Sequence, residues 1–237
     1  MGAFWDKFKT DFFLAFIYDN RWKYFVNGFF MTLLLTVSSF VLGSLLGALL
    51  CRLKFAKKKP VVVITNLFTN FLIQIPTLVL LMFCVYLIFA ETSLSVVVVV
   101  IIGLTLKAAA YLSDIYYSAI KSLDAGELEA ASALGMTRIQ VFFNIILPQS
   151  IRNAFPVYKN QLIITMQETS IVSYMAILDL TRASEVIISR TFSAFFSLIT
   201  IAILYMILGK VLIKIISIFG KEKHFDQKEL DALEVEQ

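Results

Sequence analysis

The sequence holds one histidine, His224, and two cysteines, Cys51 and Cys84. That scarcity argues against a metal site built on His and Cys ligands. Each cysteine lies in or beside an apolar segment, where a small buried thiol is the expected state. No G-x-x-x-x-G-K-[ST] run occurs; Gly209-Lys210 and Gly220-Lys221 lack the rest of a phosphate loop. No cluster of two histidines with a carboxylate exists to run a membrane-embedded hydrolysis. No cofactor is therefore expected in this chain. The apolar run 12–17 is short for a signal core, and no small-residue cleavage site follows it. Charge is also scarce. Charged residues make up 16% of the 237, against about 25% in a soluble globular domain.

Apolar sequence fills the space. Hydrophobic residues are 59% of the chain, and mean hydropathy is +0.83. The fold class this implies is an all-α polytopic membrane protein, embedded in a lipid bilayer. The net charge of +4 carries no nucleic-acid signal, because the basic residues sit at the ends of apolar runs and set orientation.

Five spans are expected, over 24–51, 61–90, 96–120, 153–175 and 194–217. Residues 3–17 alternate aromatic and charged residues at roughly helical spacing, which predicts an interfacial amphipathic helix in the N-terminal segment 1–21. The first span carries Ser39, Gly43, Gly47 and Cys51 every four residues, a small-residue face that lets another helix approach closely. The second span carries Asn66, Asn70 and Gln74 at the same spacing, with Pro76 in the middle. A polar stripe on a kinked bilayer helix must face protein or water. It is either a hydrogen-bonding seam or a pathway wall. The fourth span is so polar that hydropathy nearly misses it. Counting it nonetheless places the loops 52–59 and 121–152 and the C-terminal end on one side. That side then holds 13 of the 21 basic residues, with Lys210 and Lys214 near the end of the last span included. Lys7, Lys9, Arg21, Lys23, Arg182 and Arg190 fall on the other side. The positive-inside rule puts the basic side in the cytoplasm and the N-terminus outside. The charged tail 218–237 is expected to be cytoplasmic and partly disordered.

The inner loop is the most informative stretch. Asp124 with Glu127 forms a capping-box pattern that opens a helix. An Ala-rich run follows, and Gly135 suits the left-handed residue that ends it. Thr137 with Gln140 is a second capping box, opening a helix over 138–145 that Pro148 is expected to stop. Two short helices joined at a glycine, with a low-relief alanine face and an exposed Glu129, can enter a partner's groove. They can equally lie on the inner membrane face.

The spacing Glu129-Ala130-Ala131, three residues, Gly135, nine residues, Ile145, then Leu147-Pro148 resembles the signature loop of ABC importer permeases. The flanks extend the likeness. Residues Ala110-Tyr111-Leu112-Ser113-Asp114-Ile115, Leu147-Pro148-Gln149-Ser150-Ile151-Arg152 and Glu168-Thr169-Ser170-Ile171-Val172-Ser173 resemble elements of the polar amino acid branch. That branch carries His, Gln, Glu, Arg and cystine. The resemblance covers about 24–217. It implies a five-span type I ABC importer permease core, with the transmembrane permease domain over 22–217 and a cytoplasmic coupling-helix loop. It also implies that Glu129, Ala130, Ala131, Gly135, Leu147 and Pro148 couple the chain to a separate dimer of ATP-binding subunits, which would hold ATP and Mg. A second permease copy or paralogue and an extracytoplasmic substrate-binding protein complete the implied complex, in a bacterial cell membrane. Three departures concern the cations. The arginine of the branch's R-G-T-P element is missing at Ile73-Gln74-Ile75-Pro76. The arginine after its E-I pair is replaced in the Tyr116-Tyr117-Ser118 region. Gln167 stands where a lysine usually precedes D-T-S, and an extra Lys107 lies in the third span.

An ionisable group inside a span costs roughly 2.5–3.5 kcal/mol on insertion scales, so it needs a partner. Lys107, Asp114 and Glu168 are such groups, with Asn160, Gln161 and Gln167 nearby on the fourth span. A zwitterionic amino acid needs one cation and one anion, which Lys107 with Glu168 or Asp114 supplies. The same residues read equally as a structural ion pair. A secondary transporter or channel is the alternative class, but it predicts inverted repeats that are not seen. A permease for a non-amino-acid solute is the other alternative.

Overall fold

The computed structural model describes residues 2–218, with side chains for 5, 6 and 8–218. The tail expectation therefore falls, from residue 219 on, outside the described residues. Ten α-helices follow one another, and no strand occurs among the described residues. Helix α1 (Gly2–Phe12) leads through a π turn to α2 (Trp22–Lys54). The second span is two pieces, α3 (Lys59–Gln74) and α4 (Thr77–Phe83), the latter extended by a π turn to Ile88. Next comes α5 (Val96–Lys121), then the loop helices α6 (Ala125–Ala133) and α7 (Arg138–Val141). Helix α8 (Leu147–Glu168), α9 (Leu180–Thr191) and α10 (Phe195–Ser217) complete the chain. Among the described residues three helices, α2, α5 and α10, are long and apolar enough to cross a membrane; α3 and α4 pass the same test only as a pair, bent by 109° where they meet. Helix α8 has 22 residues, about 33 Å at 1.5 Å per residue. It is long enough to cross but carries too many polar side chains for hydropathy to register it.

The α2–α5 pair forms the centre. Its register is parallel: a Cβ on Gly43 would meet the Ala108 Cβ at 2.8 Å, and one on Gly47 would meet the Leu112 Cβ at 3.0 Å. The expected small-residue face is thus the contact surface, and glycine is required there because the α5 backbone passes that closely. Phe40, Ala108, Leu112, Leu162, Met166, Leu208 and Leu212 fill the seam between α2, α5, α8 and α10. A second cluster of Leu72, Leu80, Cys84, Val99 and Ala110 packs the broken span on α5. Both thiols are buried.

The N-terminal segment is helical, as its periodicity suggests, and it is docked. Phe8 and Phe12 pack on Phe196 with ring centroids 4.8 and 5.6 Å apart. The Ser193 hydroxyl donates to Asp11 at 3.1 Å.

Two expectations are corrected. Pro148 does not stop a helix. The chain stays helical from Arg138 to Glu168 because a π turn over Phe142–Ile146 precedes the proline. There the Leu147 N–H reaches the Phe142 carbonyl, five residues back. A turn of this width departs from the i−4 ladder whose carbonyl a proline ring would otherwise meet. The helix that carries the expected span 153–175 correspondingly starts at Leu147, and beyond Glu168 it tightens into a 3-10 stretch, Thr169–Met175. The second correction concerns the stretch left between the fourth and fifth expected spans, 176–194. It contains α9, whose Leu180, Ala183 and Ile187 are fully buried. The helix is capped by Asp179, whose carboxylate accepts from the N–H groups of Thr181 (3.2 Å) and Arg182 (2.8 Å).

Candidate functional site

The loop between α5 and α8 is built from its caps. Asp124 accepts from the Gly126 N–H at 2.8 Å and opens α6. Glu127 does not close the expected box; its carboxylate accepts from the Gln149 side-chain amide at 2.6 Å and ties α6 to the start of α8. Helix α6 ends in a Schellman motif. The Gly135 N–H donates to Ser132 O (3.0 Å) and the Met136 N–H to Ala131 O (3.2 Å). Gly135 has φ +79° with open space around an added Cβ. Conformation, not room, requires glycine there. The second capping box is complete: the Thr137 hydroxyl accepts from the Gln140 N–H, and the Gln140 side chain accepts from the Thr137 N–H at 2.8 Å. Ala131 is buried, Glu129, Ala130 and Gly135 are exposed, and Leu147 and Pro148 are half-buried. Leu134 and Ile139 stand out at 84% and 71% exposure. The turn thus presents an apolar tip flanked by Glu129.

The midspan groups separate into two places. Lys107, 3% exposed, donates to the carbonyls of Leu72 (2.8 Å), Ile73 (2.9 Å) and Ile75. Its ammonium lies 5.6 Å from the Tyr111 ring centroid. Across the break, the Thr77 hydroxyl donates to Glu168 Oε1 at 2.7 Å, while buried Oε2 has no hydrogen-bond partner among the described residues. Lys107 and Glu168 thus flank the same break in the second span.

Asp114 is elsewhere. It forms an ion pair with Lys54 toward the C-terminal ends of α2 and α5, two helical turns from Lys107 and about 10 Å farther along the axis. Lys54, an orientation marker in the sequence, is buried by this pair. Asp114 also borders a cavity of about 380 Å³ with Ser118, Ser122 and Asn153. The expected pairing of Lys107 with Asp114 is not formed.

On α8, Gln161 is buried with its amide nitrogen unpartnered among the described residues. Asn160 is exposed. Gln167 is exposed and lines a cavity of about 280 Å³ with Tyr205 and Lys210 of α10. The stripe Asn66, Asn70 and Gln74 is exposed along α3, so it is not a seam inside this chain. Sequence reasoning missed Thr77, Tyr111 and Lys54 as site residues. The signal for Thr77 was Pro76, since a break in a span frees backbone groups that polar neighbours must meet.

Residues 12–221 match the family described as binding-protein-dependent transport system inner membrane component. The chain is similar to the probable amino-acid permease protein YxeN of Bacillus subtilis (strain 168), at 34% identity, covering 75% of this chain and 81% of that protein. It is also similar to the histidine/lysine/arginine/ornithine transport system permease protein HisM of Salmonella typhimurium, at 29% identity, covering 84% of this chain and 92% of that one. Among solved structures, an amino acid ABC transporter crystallised with histidines matches with a TM-score of 0.75 at 30% identity, covering 83% of this chain and 92% of that one. The MetNI methionine ABC transporter shares the fold, with a TM-score of 0.67 at 20% identity, covering 86% of this chain and 99% of that one. The loop, the parallel α2–α5 core and these matches have one meaning: the chain belongs to the family of binding-protein-dependent transport system inner membrane components.

Proposed function

We propose that the chain is the permease subunit of an ATP-driven amino acid importer, and that the 124–148 loop is where a separate ATPase dimer pushes it. The observation that carries this is the loop itself. Two capped helices meet at a left-handed Gly135, with Leu134, Ile139 and Glu129 facing outward. An exposed apolar tip on a rigid support suits a partner's groove. The helical path from Arg138 to Glu168 is continuous, so a push on α7 reaches the break in the second span without crossing a loop. Alternating access follows: ATP binding at the partner dimer tilts α8, and the midspan site changes the side it faces.

The names of the similar proteins favour an amino acid as cargo. Glu168 suits its ammonium, because one carboxylate oxygen is held by Thr77 and the other has no hydrogen-bond partner among the described residues. Gln161 offers a neutral donor on the same helix. A second permease copy or paralogue covers the exposed stripe Asn66, Asn70 and Gln74 and closes the pathway. A binding protein delivers substrate from the side of the N-terminus, which the basic-residue asymmetry puts outside. ATP and Mg belong to the partner ATPase.

The test is ATP hydrolysis in nanodiscs by this chain with its ATPase and any second permease, titrated with binding protein and each amino acid. Stimulation by one or a few amino acids establishes the reading and names the cargo. Gly135→Pro and Glu129→Lys should abolish both stimulated hydrolysis and uptake while leaving the chain in the membrane. Normal coupling in both variants would sink the assignment of the loop.

A further inference from the structure

Four carbonyl groups, those of residues 72–75, leave the helical ladder where the second span breaks, and three of them meet Lys107. In an unbroken helix Leu72 O would accept from residue 76, but Pro76 has no N–H. Ile75 is extended, at φ −71° and ψ 131°, and the chain then turns by 109° into α4. The carbonyls of Ile73 and Ile75 are thereby turned away from their usual donors. Inside a bilayer no bulk water replaces those donors.

An ammonium has three N–H groups and no acceptor. Lys107 directs one to each of Leu72 O, Ile73 O and Ile75 O. Its donors are then all used. The positive charge also sits at the C-terminal end of α3, where the helix dipole favours it. Leu72 packs in the same buried cluster as Cys84 and Ala110, so the cap and the packing hold the same end of α3 against α5.

We propose that Lys107 is a positioning residue that caps the broken end of α3 and does not bind the transported molecule. By fixing 72–75 it fixes Pro76 and Thr77, and so the hydroxyl that holds Glu168. The transport consequence rests on the amino acid reading above; the capping itself does not.

Two readouts test it on the assembled complex in nanodiscs. The first uses Cys84 as reporter in a Cys51→Ser background, timing its modification by N-ethylmaleimide. Lys107→Met should speed modification at least tenfold, because Leu72 loses its anchor. Lys107→Gln, which keeps two N–H donors without the charge, should stay within threefold. An unchanged rate in Lys107→Met overturns the proposal. The second readout is the half-saturating concentration of the stimulating amino acid relative to its carboxamide, measured in Lys107→Gln. The ratio should stay within threefold of the parent, whatever happens to each value. A tenfold collapse of the ratio makes Lys107 a carboxylate ligand and overturns the proposal. If Lys107→Met does not assemble, Lys107→Gln gives the second readout, and a Cys84 rate in it more than threefold above the parent overturns the proposal. If no amino acid stimulates the parent complex, the cargo reading fails while the Cys84 readout still decides the capping.

Discussion

The Thr77 hydroxyl and the Glu168 carboxylate meet at 2.7 Å across the broken second span. This bond joins the first residue of α4 to the last residue of α8. It links α4, beyond the break, to the helix that continues from the 124–148 loop. It also fixes one carboxylate oxygen, while the other has no hydrogen-bond partner among the described residues.

Thr77→Val removes the donor and keeps the side-chain shape. A hydrogen bond to a charged group contributes about 1.5–3 kcal/mol, roughly ten- to a hundredfold in an equilibrium constant. The half-saturating amino acid concentration for stimulated ATP hydrolysis should rise by that factor, with basal hydrolysis unchanged. Glu168→Gln should abolish stimulation. Equal half-saturation in Thr77→Val and the parent would show that Glu168 does not need the hydroxyl.

Gly135→Ala tests the turn between the loop helices. The site has φ +79° and no steric crowding, so the cost is conformational alone, about 1 kcal/mol. Membrane insertion should be normal and coupled hydrolysis reduced severalfold. Gly135→Asn, which tolerates the left-handed region better, should recover most of the loss. Hydrolysis assays on the three proteins decide it, and an Asn variant weaker than Ala would contradict the strain argument.

Asp114→Asn leaves Lys54 buried without its counter-charge. Breaking a buried pair costs about 3–5 kcal/mol, reduced here because the Asp114 side chain is 44% exposed. Thermal stability in detergent should fall clearly. The double variant Lys54→Met, Asp114→Leu should recover at least half of the loss, since it removes both charges. A double variant as unstable as the single would mean the pair has a role beyond mutual neutralisation.

Gly43→Ala adds a methyl group where the Ala108 Cβ would lie 2.8 Å away. The α2–α5 pair must separate or shift, at a cost of about 1–3 kcal/mol for overpacking. Combining it with Ala108→Gly should restore stability measured by thermal unfolding. Failure of the double variant to recover would point to another contact, such as the Ala109 backbone.

Properties carried by one helix alone were settled by the sequence. The small-residue face at Gly43 and Gly47, the capping pair Thr137 and Gln140, the left-handed Gly135 and the break at Pro76 each depend on residues within a few positions of one another. Their physics is local, so spacing suffices to read them. Helix α9 was missed although Leu180, Ala183 and Ile187 recur at helical spacing, because the segment is too polar to register as a span and the burial of that face needs α2 beside it. Pro148 was misread because a π turn six residues earlier altered the backbone that the proline meets. The choice of partner for each buried charge was tertiary. From α5 alone, Lys107 and Asp114 share a face and look like a pair. In the fold Lys107 caps Leu72, Ile73 and Ile75, and Asp114 binds Lys54. A buried charge goes to whichever opposite charge or freed carbonyl the neighbouring helices bring within about 3 Å. That distance is set by helix register and crossing, which no single segment contains.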